Sequence, residues 1–209
     1  MKLASLLSLA AVLAASPILV TTVSADSKSE PTTKSDAFSG KLVQDATKVD
    51  PPKSSLVDSV ATNIGTTYCT SVRNSTGRIA DLTVFGSAVA AEDSVALHVE
   101  HLPAMSYGVF LAATTPGFVQ SPLGSSGNIC VRRDIGRFDG PGQVKKSGLT
   151  GTLTLDTTLG EWTTAEVPAA LGSYPAMAGI RTHFQLWYRD TKMGTSTSNF
   201  SDAEYVDWL

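Results

Sequence analysis

The sequence predicts an all-β domain, an antiparallel β-sandwich with an open β-barrel as the alternative. Three observations carry this expectation. Beyond Tyr68, apolar and polar residues alternate with period two in one run after another. Successive strand side chains point to opposite faces, so each such run offers one apolar face to a core. Glycine- and proline-containing turn markers separate the runs, and no stretch there carries an apolar stripe at helical spacing. Many short strands punctuated by turns are the pattern of a sandwich or barrel.

The first 25 residues set the compartment. Lys2 supplies a basic start, residues 3–15 an apolar run, and Val23-Ser24-Ala25 a small-residue cleavage site. This is the pattern of a secretory signal peptide cut after Ala25. Pro17, Thr21, Thr22 and Ser24 interrupt the segment, which favours cleavage over an uncleaved anchor. The expected destination is extracellular, periplasmic or cell-surface. In such an oxidising compartment the only two cysteines, Cys69 and Cys130, are candidates for one disulfide rather than a metal or redox pair. Past Val23 no apolar run approaches the ~20 residues that span a bilayer, so no membrane association is expected after cleavage. A net charge of −3 leaves no basic footprint, and nucleic acid is not an expected partner.

Residues 26–66 read as a spacer. Lys28, Lys34, Lys41 and Lys48 interleave with Glu30, Asp36, Asp45 and Asp50 among many Ser and Thr, with Phe38 the lone aromatic of residues 26–52. Too little apolar surface is available there to offset the entropy of ordering the chain. Pro51-Pro52 would break a helix, and the one place where a short helix is marked, weakly, is 56–61.

The domain itself is expected over 67–209. Val95, Leu97 and Val99 alternate with Ala96, His98 and Glu100. Leu149, Gly151, Leu153 and Leu155 alternate with Thr150, Thr152, Thr154 and Asp156. Phe184, Leu186 and Tyr188 alternate with His183, Gln185, Trp187 and Arg189. Further strands are expected near 79–88, 107–114, 129–135 and 203–208. Pro103, Pro116-Gly117, Gly124-Ser125-Ser126-Gly127, Asp139-Gly140-Pro141-Gly142 and Gly194 mark the turns between them.

Chemistry-bearing constellations are sparse. No Gly-rich phosphate loop precedes a helix, and Gly124-Ser125-Ser126-Gly127 lacks the spacing of a nucleophile elbow. His98-Val99-Glu100-His101 has the look of a metal motif, but on a strand the two histidines would project to opposite faces, so no metal site is assigned. Asp190, Asp202, Glu204 and Asp207 cluster late and define the rival reading, a glycosidase-like secreted hydrolase with paired carboxylates. The plainer account has Asp190 ending a strand and Asp202 opening one, each bonding a turn. A calcium site at Asp190 and Asp202 is a further alternative. Asn74-Ser75-Thr76 and Asn199-Phe200-Ser201 fit the N-glycosylation pattern. Aromatics supply the binding candidates. Trp187 falls on the polar face of its strand beside Gln185 and Arg189, and Trp162 falls in an apparent loop. An exposed indole can stack on a flat ligand face while Gln and Arg donate hydrogen bonds.

A set of motifs also occurs in a fixed order. Tyr68-Cys69-Thr70-Ser71 with Asn74-Ser75-Thr76-Gly77 comes first. Gly127-Asn128-Ile129-Cys130, Ile135-Gly136-Arg137-Phe138 and Gly140-Pro141-Gly142-Gln143 follow. Phe184-Gln185-Leu186-Trp187-Tyr188-Arg189-Asp190 and Thr197-Ser198-Asn199-Phe200-Ser201-Asp202-Ala203 close the set. Together they resemble an uncharacterised secreted module of bacteria with large secretomes, often the C-terminal part of bigger exported proteins. The resemblance implies a β-sandwich with Cys69 and Cys130 paired, and no activity, cofactor or catalytic residue. Arg132-Arg133 departs from the glycines common in that family, and Glu204-Tyr205-Val206-Asp207-Trp208 from a more β-branched ending. The resulting expectation is a secreted non-catalytic interaction module without cofactor. An extracellular glycan or surface protein is its candidate partner, and a hydrolase or a purely structural domain are the alternatives.

Overall fold

The computed structural model describes residues 61–209. The leader, the spacer up to residue 60 and most of the short helical stretch at 56–61 lie outside the described residues.

Thirteen antiparallel strands, with no α-helix among the described residues, build a sandwich. The larger sheet has the order β1 (Thr66–Cys69), β13 (Thr195–Asp207), β12 (Arg181–Lys192), β4 (Tyr107–Ala113), β7 (Gly136–Arg137), and β8 (Lys145–Lys146) also pairs with β4. The smaller sheet is β2 (Asp81–Gly86), β3 (Val95–Glu100), β9 (Leu153–Asp156). Two hairpins complete the fold: β5 (Thr115–Gln120) with β6 (Asn128–Arg132), and β10 (Val167–Ala169) with β11 (Gly172–Tyr174).

Register explains the core. Leu82 pairs with Val99 and Val84 with Leu97 across β2 and β3, while Leu97 pairs with Leu155 and Val99 with Leu153 across β3 and β9. This apolar layer packs on Phe110, Ala112, Phe184, Leu186, Tyr188, Val206 and Trp208 of the larger sheet. The period-two face anticipated for Phe184, Leu186 and Tyr188 is therefore the principal core face. On the opposite face of the same sheet a second apolar cluster forms from Leu111, Ala113, Phe200 and Val131, with Ile129, Ile135 and Trp187 against it. The β5–β6 hairpin contributes its cover, and Cys69–Cys130 joins β1 to β6 with the Cα atoms 6.3 Å apart.

Several local expectations are corrected. The run beginning at Leu149 is a strand only from Leu153. Gly148 and Gly151 have φ of 60° and 72°, the amides of Gly151 and Thr152 both donate to the Ser147 carbonyl, and Leu149 is exposed. Pro116-Gly117 is not a turn but part of β5, at a bulge between Pro116 and Val119, the kind of position in which a strand tolerates proline. The turn at Gly194 is a two-residue hairpin in which Met193 and Gly194 have φ of 50° and 76°, matching the right-handed strand twist. Packing also begins before the expected boundary at 67. Gly86 donates its amide to the Thr62 carbonyl and Ile64 to that of Val84, both at 2.9 Å.

Trp162, a binding candidate from sequence, is a core residue. Its indole N–H donates to the Leu155 carbonyl at 3.3 Å, and its ring meets Phe138 edge-on at 5.2 Å. The polar N–H finds a partner that lets the remaining surface be buried.

Candidate functional site

Strand alternation places Gln185, Trp187 and Arg189 toward the hairpin side of the larger sheet, and the hairpin covers only part of that side. Gln185 lies under β6 and is fully buried. Its Oε1 accepts the Cys130 amide at 2.8 Å, and its Nε2 donates to the carbonyls of Asn128 at 3.0 Å and Ser201 at 2.8 Å. The side chain thus ties β6 to the sheet, and its complete burial keeps it from a ligand. Its assignment as a ligand-binding residue is corrected to that of a hairpin anchor.

Trp187 lies two residues further on, past the hairpin's cover. It pairs with Val109 on one side and Phe200 on the other and is half-buried. The Arg189 guanidinium lies 5.6 Å from the indole centroid. Both residues line a cavity of about 460 Å³ floored by Leu111, Ile129, Ile135 and Phe200. Arg137, Leu123 and the 196–198 stretch of β13 form its rim. A second recess of about 250 Å³ adjoins the same pair and is bordered by Tyr107, Val109 and Val144. The Lys146 ammonium sits 4.8 Å from the Tyr107 ring centroid.

The loop over the cavity is held in an uncommon conformation. Ser121 and Leu123 have φ of 46° and 51°, and Leu123 is fully exposed. Left-handed backbone at non-glycine residues costs of order 1–3 kcal/mol each and persists where the surroundings impose it. Here the Ser126 amide and the Ser125 hydroxyl both donate to the Ser198 carbonyl at 2.8 Å. At Gly127 a Cβ would lie 2.0 Å from Asn199 Oδ1 and 2.8 Å from the Phe200 amide nitrogen, so only glycine lets the loop meet β13 this closely.

The late carboxylates have other work, and none of them lines this cavity. Asp202 Oδ1 accepts the Leu82 amide at 2.6 Å, and Glu204 Oε2 accepts the Val84 amide at 2.9 Å. These two buried groups occupy the edge of β2 and stitch the two sheets together along one side. Asp190 accepts from the amides of Ser75 and Thr191 and from Asn199 Nδ2. It does not converge with Asp202 on a calcium site. Asp207 forms an exposed bidentate pair with Arg181 at 2.7 Å.

His98 and His101 do not diverge as a continuous strand would require. His101 lies past the end of β3 with φ of 64°, and the two imidazoles approach opposite oxygens of Glu100 at 3.4 and 3.9 Å. Among the described residues no three such side chains are arranged to hold a metal ion. Asn74 and Asn199 are both buried, and their Nδ2 groups donate to the His101 carbonyl and to Asp190. The folded domain therefore presents neither as a glycan acceptor.

Burial makes two groups titrate in opposite senses. Desolvation pushes the Asp202 carboxyl from its usual 3.8 up to about 7, with the nearby Asp81 and Glu204 adding to the rise. Desolvation also pushes His183, enclosed by Tyr68 and Tyr205, from 6.5 down to about 4, with the Arg181 charge acting in the same direction. Between pH 4 and 7 the folded state holds a proton on Asp202 that the unfolded chain has released, so this group makes stability fall as pH rises. Folded His183 lacks a proton that the unfolded chain carries below pH 6.5, so it makes stability rise over the same window. The two trends oppose each other. Measured against the parent at each pH, the melting temperature of Asp202→Asn should gain from pH 4 to 7, and that of His183→Gln should lose from pH 4 to 6.5. Parallel profiles for the two variants in thermal melts would contradict these assignments.

Two residues on the cavity rim escaped the sequence-based expectation. Arg137 sits in Ile135-Gly136-Arg137-Phe138, where alternation alone turns it away from the Phe138 side. Leu123 carries no periodic signal, since its exposure follows from the loop conformation. No family model matches this chain, and no curated protein or solved structure matches it either.

Proposed function

We propose that the domain is a secreted, non-catalytic interaction module that seats a carbohydrate or matrix ligand against Trp187. The observation that carries this reading is an open cavity with an apolar floor, a half-buried indole at its wall and a rim of guanidinium and hydroxyl groups. Stacking on an aromatic face combined with convergent polar groups is a general means of holding a small ring. A disulfide that braces the cavity's cover accords with an oxidising, extracellular-type setting, and the leader-like segment at 1–25 points to export.

A glycan array probed with the purified mature protein tests the reading. Trp187→Ala should weaken binding to any positive by on the order of tenfold or more, the usual effect of truncating an aromatic anchor. Its melting temperature should fall by only a few degrees, because the half-buried indole packs against the smaller apolar cluster and lies outside the principal core. Binding that survives Trp187→Ala, or a blank array, would refute the proposal.

A further inference from the structure

The cavity has an electrostatic sign. Arg137 pairs with Leu111 and Arg189 with Ser198, which places both side chains on the hairpin side of the sheet, at the same cavity. Both are exposed, and neither lies within ion-pair distance of a carboxylate among the described residues. Elsewhere Arg181 pairs with Asp207 and Lys145 with Glu161, whereas the cavity holds no carboxylate that could pair with Arg137 or Arg189. No Asp or Glu lines the cavity or its adjoining recess, although acidic residues outnumber basic ones 19 to 16 in the chain. Two exposed guanidinium groups thus face a cavity that holds no carboxylate, one of them beside the indole.

We propose that the ligand is an acidic saccharide, with Trp187 under a sugar ring and Arg137 and Arg189 facing its carboxylates from two parts of the same cavity; this rests on the carbohydrate reading above. A planar guanidinium matches a carboxylate in a two-pronged contact, which an ammonium does not. Hydroxyls of Ser196 and Ser198 on the rim suit a polyhydroxylated partner rather than a purely apolar acid. The contacts are exposed to solvent, so they are screened by salt.

The deciding experiment is calorimetric titration of the mature protein with polygalacturonate and with its fully methyl-esterified counterpart, which keeps the sugar ring and masks the charge. Alginate and hyaluronate extend the acidic set. At least one acidic polymer should bind about tenfold or more tightly than the ester, the worth of one charge-assisted hydrogen bond, and added salt should erode the preference. The Arg137→Gln/Arg189→Gln variant should lose the preference with an unchanged melting temperature, and Trp187→Ala should weaken acid and ester alike. Ester bound as tightly as acid, and weakened by Trp187→Ala, would overturn the inference while leaving the carbohydrate reading intact. No binding to any of the acidic polymers would also overturn it, and the neutral sugars of the glycan array would then decide the broader reading separately.

Discussion

Replacing Gln185 with leucine should destabilise the domain by roughly 3–6 kcal/mol and loosen the β5–β6 hairpin from the sheet. The apolar side chain fills similar space but strands the Cys130 amide and the carbonyls of Asn128 and Ser201 in a buried setting. Each buried polar group left without a partner costs about 1–3 kcal/mol. Against a typical total of ~5–15 kcal/mol, that is a large fraction. Gln185→Glu should be no better, because a carboxylate can still accept from Cys130 but cannot donate to the two carbonyls. Denaturant titration reads the loss as a lower midpoint, and Trp187 fluorescence should shift to the red as the cover over its cavity loosens. A leucine variant within about 0.5 kcal/mol of the parent, the range of an ordinary surface substitution, would show that Gln185 does not hold the hairpin.

Removing the disulfide should have an effect of similar size through a different route. Cys69 and Cys130 are 61 residues apart in sequence, and closing such a loop restricts the unfolded chain by about 4 kcal/mol in the chain-entropy model. For a domain of this length, Cys69→Ser/Cys130→Ser should lower the melting temperature by about 10 °C. Affinity for any ligand in the fraction still folded should be unchanged, since neither cysteine lines the cavity. The bridge and the Gln185 contacts restrain the same strand at the same residue, so combining the two changes should cost less than the separate losses added together. An undiminished melting temperature in the serine variant would show that β6 is held by its other contacts alone.

Much of the scaffold was legible in the chain before any coordinates. The alternation of Val95, Leu97 and Val99, and of Phe184, Leu186 and Tyr188, named two facing walls of the core, because burial of one strand face imposes period two on the sequence. The short strands β7, β8, β10 and β11 were not legible, since two or three residues cannot display a period. β5 was hidden by Pro116-Gly117, which reads as a turn until a bulge on a two-stranded hairpin is seen to accommodate it. The long β12–β13 pair was recognised only in part, because the polar residues 195–199 carry no apolar alternation.

The candidate site divides along the same line. Sequence by itself determined that Gln185, Trp187 and Arg189 share one side of a strand, that Cys69 and Cys130 are each other's only available partner, and that the domain is all-β. Tertiary structure alone decided that Gln185 is sealed beneath β6 while Trp187, two residues later, borders an open cavity. It also decided that Trp162 is core and that Asp202 and Glu204 hold the edge of β2. The physical reason is one of range. Side-chain direction follows from the local backbone, residue by residue, whereas what covers a side chain is set by strands such as β6, which lies more than fifty residues away from Gln185 in sequence and is fastened by the bonds that reach across.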